Sequence, residues 1–450
     1  RLALAGGRRA VVPGGVRFGA LFAVHGAPAA AGAPCGPVRE HYGIQRVEAT
    51  LLALQSINAD AALLPRLHLG AELRDSCWAP ATALRQTIHL LREAIAPPDA
   101  PAAPSACSPV SSACRNTSQH KPVDQPPPRM RAEARPADDA PLLAVLGPGA
   151  SAAAVQVQNL LQLFSIPQSY GQSGMAAFRE EAARGGVCVA REEALRAAPA
   201  RAAVLAVLAR LARGPRVAVC WCEGRTARAL LAGLAARPAL RLRLLASDGW
   251  ADRRDVVAGL EEAARGALTL RIRSPYLKEF DAHYLALKPH NNSRNPWFKE
   301  FWEQKFHCSL SAAAPAGTPR CTGMESLATN YTQEPKLALV VRGVYSLAHA
   351  LHSMRRAACG ERPARGLCAA MLPFNVSRYR QHLARVRFRA PDGGRVAFDD
   401  NGDPPPESVA GPHPPPRAPP PPLTPLVFRR LSEYDVMSFE RAGAGWRYVR

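Results

Sequence analysis

Two apolar segments of this chain each run into a short polar loop of the kind that binds a charged ligand. Residues 142–146 are followed by Gly147-Pro-Gly149 and Ser151, and residues 240–246 are followed by Asp248. In open α/β sheets, ligands bind at the carboxyl ends of strands, where backbone N–H groups and short side chains are exposed. One loop offers a hydroxyl and amides, the other a carboxylate. The pair therefore suits a zwitterion such as an amino acid.

Other charged and glycine-rich positions each have two interpretations. Arg46 falls in the first turn of a predicted helix, against the helix dipole, which an anionic ligand or a neighbouring carboxylate would explain. Gly147-Pro-Gly149 is either an anion cradle at a helix N-terminus or an ordinary turn. Asp248 either pairs with an ammonium or caps a helix that begins near residue 251. Lys336 opens an apolar helix, where most lysines are solvated.

The chain shows none of the patterns typical of an enzyme or metal site. No Ser/His/Asp order, HExxH or spaced carboxylate pair is present, and the 12 histidines are scattered. It also lacks GxGxxG and the phosphate-loop ending, which argues against a nucleotide cofactor. No CxxC pair occurs, which disfavours a zinc module. We therefore expect no catalysis, cofactor or metal.

The strongly basic composition does not indicate a nucleic-acid partner. Lys and Arg total 57 against 36 Asp and Glu, a net charge of +21. The basic residues are mostly Arg within Ala/Leu/Gly/Arg-rich stretches at 195–213 and 229–243, and they form no compact run. Aromatic residues, which stack on bases, make up only 6%. We predict no nucleic-acid binding.

Cysteines and sequons together favour an oxidising, secretory compartment. Eleven cysteines are many for a reduced compartment, and their odd number leaves at least one thiol for an intermolecular bond. Cys220 and Cys222 are separated by one residue, which makes a strained disulfide or a buried free pair. Glycosylation sequons stand at Asn116, Asn291, Asn330 and Asn375.

No apolar run of 18 or more residues is present, so we expect no membrane span within the chain. The chain starts without Met or a signal-peptide core. We therefore expect it to be part of a longer product whose anchor or signal lies outside it.

Alternating strand and helix patterns predict an α/β fold with parallel sheets flanked by helices. The length of 450 residues is enough for two domains. Predicted strands cover residues 16–25, 67–74, 142–146, 187–190, 216–222 (buried), 240–246, 386–388 and 396–398. Predicted helices cover 43–58, 81–95, 152–164, 170–183, 196–213, 226–236 and 335–354. A disordered loop is expected at 97–140, and a Pro-rich inserted loop at 404–422.

Several ordered motifs give the chain a family resemblance over nearly its whole length. It closely resembles the extracellular ligand-binding domain of metabotropic glutamate receptors. The group I receptors are the most similar, because of Cys220-Trp-Cys-Glu-Gly224 and Ser247-Asp-Gly-Trp-Ala-Asp252. The matching stretches are residues 35–49, 57–60, 73–78, 146–149, 155–164, 170–175, 220–224, 247–252, 295–298, 398–403 and 434–436.

This resemblance implies a two-lobed clam-shell fold similar to bacterial periplasmic amino-acid-binding proteins. Lobe 1 would begin with residues 1–168, and a shortened lobe 2 would comprise 169–272. Residues 273–450 would cross between the lobes, return to lobe 1 and end in strands. The family's lobes close around L-glutamate in a disulfide-linked homodimer joined through lobe 1. A membrane domain absent from this chain then couples to a G protein. The implied location is the extracellular face of the plasma membrane.

The resemblance also assigns roles to individual residues. Arg46 and Lys336 match partners of the ligand's side-chain carboxylate, and Ser151 matches a partner of the α-carboxylate. Asp248 and Tyr170 match partners of the ammonium, the tyrosine by a cation–π contact. The pocket-edge matches are Tyr42, Glu223 and Arg253.

The family's disulfides match Cys35–Cys77, Cys220–Cys222, Cys308–Cys321 and Cys359–Cys368. The intersubunit bond falls at Cys107 or Cys114. Cys188 matches the cysteine that pairs with a Cys-rich module outside this chain.

The chain departs from the family pattern at three places. Pro167-Gln168 joins Ser169-Tyr170 directly, where the family has several dozen more residues, including a threonine, an aspartate and the first strand of lobe 2. Ala150 and Ala152 flank Ser151 in place of hydroxyl residues, and a Pro-rich insertion follows Asp403. We therefore expect weak or no glutamate binding. The alternative function is a non-binding or decoy ectodomain, or an incomplete gene product that lacks part of the site.

Overall fold

The computed structural model describes residues 8–30, 32–95, 140–149, 151–162, 182–195, 199–212, 214, 216–240, 242–272, 274–311, 317–361, 365–398, 434–443 and 445–450. The chain divides into two compact units. The first unit comprises the described residues within Arg1–Tyr170, Lys278–Glu334 and Val340–Phe388. The second unit comprises those within Gly171–Leu277, Pro335–Leu339 and Arg389–Arg450.

Strands and helices alternate along most of the described chain. The strands are β1 (Arg9–Val12), β2 (Val16–Phe22), β3 (Leu69–Asp75), β4 (Leu142–Leu146), β5 (Val217–Cys220), β6 (Arg243–Ala246), β7 (Leu268–Ile272), β8 (Arg387–Arg389), β9 (Arg395–Ala397), β10 (Tyr434–Ala442) and β11 (Gly445–Val449). The helices are α1 (Gln45–Ala59), α2 (Pro80–Ile95), α3 (Ser151–Gln162), α4 (Arg201–Leu211), α5 (Gly224–Ala235), α6 (Arg254–Val257), α7 (Glu261–Ala264), α8 (Lys278–Leu285), α9 (Phe298–Phe306), α10 (Leu337–Cys359) and α11 (Val376–Ala384).

The first unit is built on a four-stranded sheet in the order β1-β3-β2-β4. The inner strand pairings follow the prediction, since β2 pairs in parallel with both β3 and β4, whereas β1 runs antiparallel to β3. Every residue of β2 and β3 is buried, as expected for strands covered on both faces. Because β2, β3 and β4 are parallel, their carboxyl ends lie at one edge of the sheet.

Helices cover this sheet with apolar stripes at helical spacing. In α1, the buried residues Val47, Leu51 and Leu54 follow the 3.6-residue period. One core cluster joins β2 and β4 to α2 and α3, and its members are Leu21, Ala83, Leu90, Leu91, Leu142, Val145, Ala153, Val157 and Leu161. This packing fixes the start of α3 relative to the sheet.

The second unit contains a five-stranded sheet in the order β11-β10-β7-β6-β5. Strands β5, β6 and β7 are parallel, and β10 adds antiparallel to β7. The core cluster of this unit surrounds the fully buried Trp250 and includes Leu208 of α4, Leu231 of α5, Leu244 of β6 and Phe439 of β10. The α/β class with parallel sheets is therefore confirmed.

Residues 216–222 were predicted to form a buried strand. A strand is present, but the prediction that it is buried is wrong. The strand is shorter, Val217–Cys220, and it lies at the edge of the sheet, with β6 as its only strand partner in the described chain. Val217 is 59% exposed and Trp221 is 46% exposed. The apolar sequence predicts a covered strand, but within the described residues no strand pairs with its outer edge.

Several other predictions are corrected at their ends or in kind. Residues 187–190 form no strand with the described residues, and Val187 and Val189 are exposed. The helix predicted at 196–213 begins only at Arg201, and the helix predicted at 335–354 continues to Cys359. No bounds were predicted for the strands β1, β7, β10 and β11 or for the helices α6, α7, α8, α9 and α11. The Pro-rich run at 404–422, the loop at 97–139 and most of the helix predicted at 170–183 lie outside the described residues.

Among the described cysteines, four disulfides join the pairs that the resemblance implies: Cys35–Cys77, Cys220–Cys222, Cys308–Cys321 and Cys359–Cys368. Cys188 is an exposed free thiol. Across the described part of the chain, no helix has both the length and the apolar character needed to cross a bilayer.

Candidate functional site

Arg46 of the first unit is presented by a distorted turn at the beginning of α1. Residues Glu40–Ile44 form a π-type turn in which Tyr42 has a φ of 63°, a left-handed conformation that is unusual for a tyrosine. The Arg46 guanidinium lies 5.0 Å from the Tyr42 ring centroid, within cation–π range. The turn therefore places two residues of the predicted site against each other.

Glu334 is the neighbouring carboxylate that explains the position of Arg46 at the start of the helix. Arg46 Nε donates to Glu334 Oε1 over 2.8 Å, and Arg46 Nη2 contacts the same oxygen. Glu334 Oε2 accepts from the Tyr42 backbone N–H over 2.8 Å. The Glu334 side chain is 0% exposed and the Arg46 side chain is 11% exposed. Removing one partner of a buried pair of this kind typically costs about 3–5 kcal/mol.

The pKa of Glu334 follows from this environment. Burial by itself would raise the pKa, but the charge of Arg46 and the hydrogen bonds from Arg46 and Tyr42 outweigh burial, so the pKa lies below its usual value. Glu334 is thus an anion in the folded protein. The sequence analysis missed it, although Glu334 stands only two residues before Lys336.

The loop after β4 packs closely against β2 and Arg46. Gly147 has a φ of 85°, and a Cβ there would lie 2.5 Å from the Leu21 carbonyl oxygen, so glycine is required. A Cβ at Gly149 would lie 3.0 Å from Arg46 Nη1, which places the predicted anion loop directly beside Arg46. Ser151 is the first residue of α3. The structure therefore brings the Gly147–Gly149 loop and Arg46 together.

In the second unit, Asp248 and Lys336 form an ion pair. Asp248 follows the carboxyl end of β6, and its Oδ2 lies 2.8 Å from Lys336 Nζ. Both side chains keep about a third of their surface in water, at 31% and 27% exposure. The helix-cap alternative for Asp248 is wrong, because the next helix begins at Arg254 and has no side-chain cap. Asp248 therefore carries a charge partner and lies at the sheet edge that the topology assigns to ligands.

Glu223 and Arg253 lie beside Asp248 in this unit. Gly249 lies so close to Cys222 and Glu223 that a Cβ on Gly249 would be 2.4 Å from the Cys222 carbonyl oxygen. Arg253 donates to the Gly249 carbonyl over 3.3 Å and pairs with Asp255. Glu223 Oε1 is buried and accepts no hydrogen bond from any described residue. A buried carboxylate oxygen without a donor is unusual and fits an oxygen that receives a ligand N–H.

Some of the predicted residues are not among those that the structure describes. Tyr170, Cys107, Cys114 and Asn116 lie outside the described residues, as does the Gln168/Ser169 junction. The remaining sequon asparagines, Asn291, Asn330 and Asn375, are all exposed.

The described residues offer cysteine sulfurs close to carboxylates at two places. These are Asp75 beside Cys35–Cys77 and Glu325 beside Cys321–Cys308. Both pairs of sulfurs are disulfide-bonded, and the metal ligand is the thiolate, so neither group suits a metal ion.

Two comparisons with known proteins show the family of this chain. The family model of the receptor family ligand-binding region matches residues 45–170 and 168–409. The two matched pieces overlap at residues 168–170. Metabotropic glutamate receptor 6 of Oryctolagus cuniculus is 31% identical over 454 residues, covering 87% of this chain. The chain spans about half the length of that relative. The family is a receptor family and not an enzyme family. This chain therefore belongs to the receptor ligand-binding-region family and is an extracellular domain of the metabotropic glutamate receptor type.

Proposed function

We propose that this chain is the glutamate-sensing part of a G-protein-coupled receptor and that it binds L-glutamate weakly. The side-chain carboxylate of the ligand is bound by Arg46 and Lys336, and the α-carboxylate by Ser151. The ammonium is bound by Asp248 and Tyr170. Tyr42, Glu223 and Arg253 complete the contacts.

The Asp248–Lys336 ion pair is the observation that most supports this proposal. A zwitterionic ligand exchanges with such a pair without changing the net charge, since its ammonium replaces Lys336 at Asp248 and its carboxylate replaces Asp248 at Lys336. The pair is partly exposed, and such pairs contribute only about 0–1 kcal/mol, so opening it costs little. Glu223 Oε1, which receives no hydrogen bond from the described residues, offers a further acceptor to the ammonium.

Weak affinity is expected because the stretch that the family carries between Gln168 and Ser169 is not in this sequence. In the family, its threonine and backbone groups hold the ammonium and the α-carboxylate, and it also carries an aspartate of lobe 2. The hydroxyl residues that flank Ser151 in the family are Ala150 and Ala152 here. We expect a dissociation constant of about 1 mM or weaker, which corresponds to only about 4 kcal/mol.

A thermal-shift series tests the choice of ligand. The full chain is heated with L-glutamate, L-glutamine, L-lysine and L-alanine, each at concentrations up to tens of millimolar. We expect the melting temperature to rise with L-glutamate and to remain unchanged with L-lysine. Equal shifts for all four amino acids would show a nonspecific solute effect and would refute the proposal.

The assembly of the whole receptor is also a proposal. We propose that the two units are the two lobes of the family fold, and that they close on the ligand in a homodimer joined through lobe 1. Cys107 or Cys114 makes the bond between subunits, and Cys188 pairs with a Cys-rich module. The G protein is engaged by a membrane domain outside this sequence. Loss of the disulfide-linked dimer in Cys107→Ser or Cys114→Ser, on a non-reducing gel, identifies the linking cysteine.

One observation favours a second candidate, a dimerising ectodomain that binds no glutamate. Strand β5 has an exposed apolar edge within the described residues, which is the expected result of losing an adjacent strand. Absence of any ligand-dependent change at tens of millimolar glutamate, together with an intact dimer, supports this candidate instead.

A further inference from the structure

Glu334 is the buried centre of a cluster in the first unit that no assigned role covers. Both of its carboxylate oxygens accept hydrogen bonds. Oε1 accepts from Arg46 Nε and Nη2, and Oε2 accepts from the Tyr42 backbone N–H. The Glu334 backbone N–H donates to Gln45 Oε1 over 2.7 Å. One residue thus contacts Tyr42, Gln45 and Arg46, three residues at the start of α1.

The surrounding contacts leave this cluster little freedom. Gln45 Nε2 donates to the Thr332 carbonyl over 2.9 Å, and His41 Nε2 lies 2.8 Å from the same oxygen. The segment that carries Glu334 is therefore tied to the turn before α1 at several points. A guanidinium that donates two hydrogen bonds to a fixed, fully buried oxygen has its plane fixed as well.

We propose that Glu334 is a positioning residue for ligand binding, which fixes the plane of the Arg46 guanidinium and the left-handed backbone of Tyr42 for an incoming carboxylate. This inference rests on the proposed function. Glu334 also neutralises Arg46 before a ligand arrives. Simple anions then gain little Coulomb energy at Arg46, whereas a carboxylate that matches the donor geometry still binds. The cluster thus selects a carboxylate by geometry more than by charge.

The test uses Glu334→Gln in the full chain, with Glu48→Gln as the matched control. Glu48 is also a buried carboxylate on the first unit, and its Oε1 accepts from Asn292 and Asn295 at 2.7 Å each. We expect Glu334→Gln to weaken L-glutamate binding about tenfold and to leave L-alanine binding unchanged, because L-alanine lacks the distal carboxylate. Equal weakening for both ligands would indicate a merely structural role and would overturn the inference.

A thermodynamic cycle asks whether Glu334 acts through Arg46. We expect most of the effect of Glu334→Gln on glutamate affinity to disappear in an Arg46→Ala background, where only the contact of Glu334 with the Tyr42 N–H remains. If the two substitutions are additive, Glu334 does not act through Arg46, and the inference fails.

A ligand-free measurement separates failure of this inference from failure of the proposed function. In protein labelled with ¹⁵N-arginine, we expect a slowly exchanging Nε–H signal that Arg46→Ala removes. Its exchange should be about tenfold faster in Glu334→Gln and unchanged in Glu48→Gln. Unaltered exchange in Glu334→Gln overturns the positioning role even if glutamate binds. Absence of glutamate binding with the expected exchange behaviour contradicts only the proposed function.

If Glu334→Gln does not fold, the double variant Arg46→Ala/Glu334→Gln, which removes both charges, supplies the comparison with Arg46→Ala.

Discussion

Arg46 and Lys336 are both paired with carboxylates of this chain, but the two pairs differ in burial. The Glu334 side chain at Arg46 is 0% exposed, whereas Asp248 at Lys336 is 31% exposed. Breaking the buried pair leaves an uncompensated charge in the interior, whereas the exposed pair can separate into water. We therefore expect a ligand to add to the Arg46–Glu334 pair and to displace the Asp248–Lys336 pair.

At the residue scale, substitution of Gly147 tests how much the close approach of its loop to Leu21 contributes to stability. Gly147→Ala places a Cβ 2.5 Å from the Leu21 carbonyl oxygen and forces alanine to a φ of 85°, so we expect a loss of about 2–4 kcal/mol of unfolding free energy. Gly393 has a φ of 80°, and a Cβ there would meet no atom within 4 Å. Gly393→Ala therefore measures the free-energy cost of the left-handed backbone conformation without a steric clash. Gly393→Ala should cost only about 1 kcal/mol. Equal losses in chemical denaturation would show that the close approach to Leu21 does not matter.

His25 gives the first unit a defined pH dependence. Burial opposes protonation, but the hydrogen bonds and charges of Asp75 and Glu300 outweigh it and raise the pKa of His25 to about 9. His25 Nδ1 lies 2.5 Å from Asp75 Oδ2, and Nε2 lies 3.2 Å from Glu300 Oε1. The pKa is higher in the folded state than the unfolded value of 6.5, so this stabilisation is complete below pH 6.5. It is lost as the pH rises to about 9.

We expect this loss to amount to about 2–3 kcal/mol between pH 6 and pH 9.5. In His25→Gln, the fall in melting temperature over that range should be much smaller. Parallel pH curves for the two proteins would contradict the assignment.

At the element scale, the edge of β5 that no described strand pairs with predicts self-association. An exposed apolar edge strand presents unpaired backbone groups to other chains, and a lysine on such a strand blocks pairing. We therefore expect Val217→Lys to lower the associated fraction in sedimentation velocity at micromolar concentrations. Leu268 is the control, since it is 42% exposed on β7 and pairs with both Leu245 of β6 and Ser438 of β10. Equal effects of Val217→Lys and Leu268→Lys would point to net charge and not to the strand edge.

The start of α11 combines a helix cap with a sequon. Asn375 accepts a hydrogen bond from the Arg378 N–H over 2.8 Å, and it is also the acceptor of Asn-Val-Ser. Asn375→Ala removes both features, whereas Ser377→Ala removes only the sequon. In unglycosylated protein, we expect Asn375→Ala to cost about 1 kcal/mol of stability, and Ser377→Ala less than half of that. In protein secreted from eukaryotic cells, both variants should lose the same glycan in a mass measurement.

The sequence predicted those elements whose patterns are local. The β4 limits were correct because five apolar residues end at a Gly-Pro-Gly turn, and α1 followed from its apolar period. The exposure of β5 was not predictable, since Val217–Cys220 is apolar and its partners lie elsewhere in the chain. Glu334 was missed for a similar reason: its contact with Arg46 joins residues 288 positions apart. Residues 187–190 have a strand composition but no pairing, because β-propensity reflects neighbours that the sequence does not specify.

At the scale of the whole molecule, the large positive charge is spread over both units and does not define the site. Arg46 and Lys336, the two cations assigned to the ligand's side-chain carboxylate, are each matched by a carboxylate, so the clusters are close to neutral in a chain of net charge +21. Exposed charges are screened at about 8–10 Å under physiological salt. We therefore expect ligand recognition to depend on placed hydrogen bonds and not on the overall field.

This view predicts a weak dependence of glutamate binding on ionic strength. Raising NaCl from about 50 to about 300 mM should change the dissociation constant by less than about threefold, because the net charge of each cluster is near zero. A loss of affinity of more than about tenfold over this range would show that the general positive field attracts the ligand.

The central claim is that L-glutamate binds through the groups at the two clusters. The most direct measurement is a calorimetric titration of the full chain with L-glutamate, repeated for Asp248→Asn. Asparagine keeps the shape of aspartate but removes the charge that holds an ammonium. We predict a dissociation constant of about 1 mM or somewhat weaker for the unaltered chain and at least about tenfold weaker binding for Asp248→Asn. No heat from the unaltered chain at tens of millimolar ligand, or equal affinity in Asp248→Asn, would contradict it.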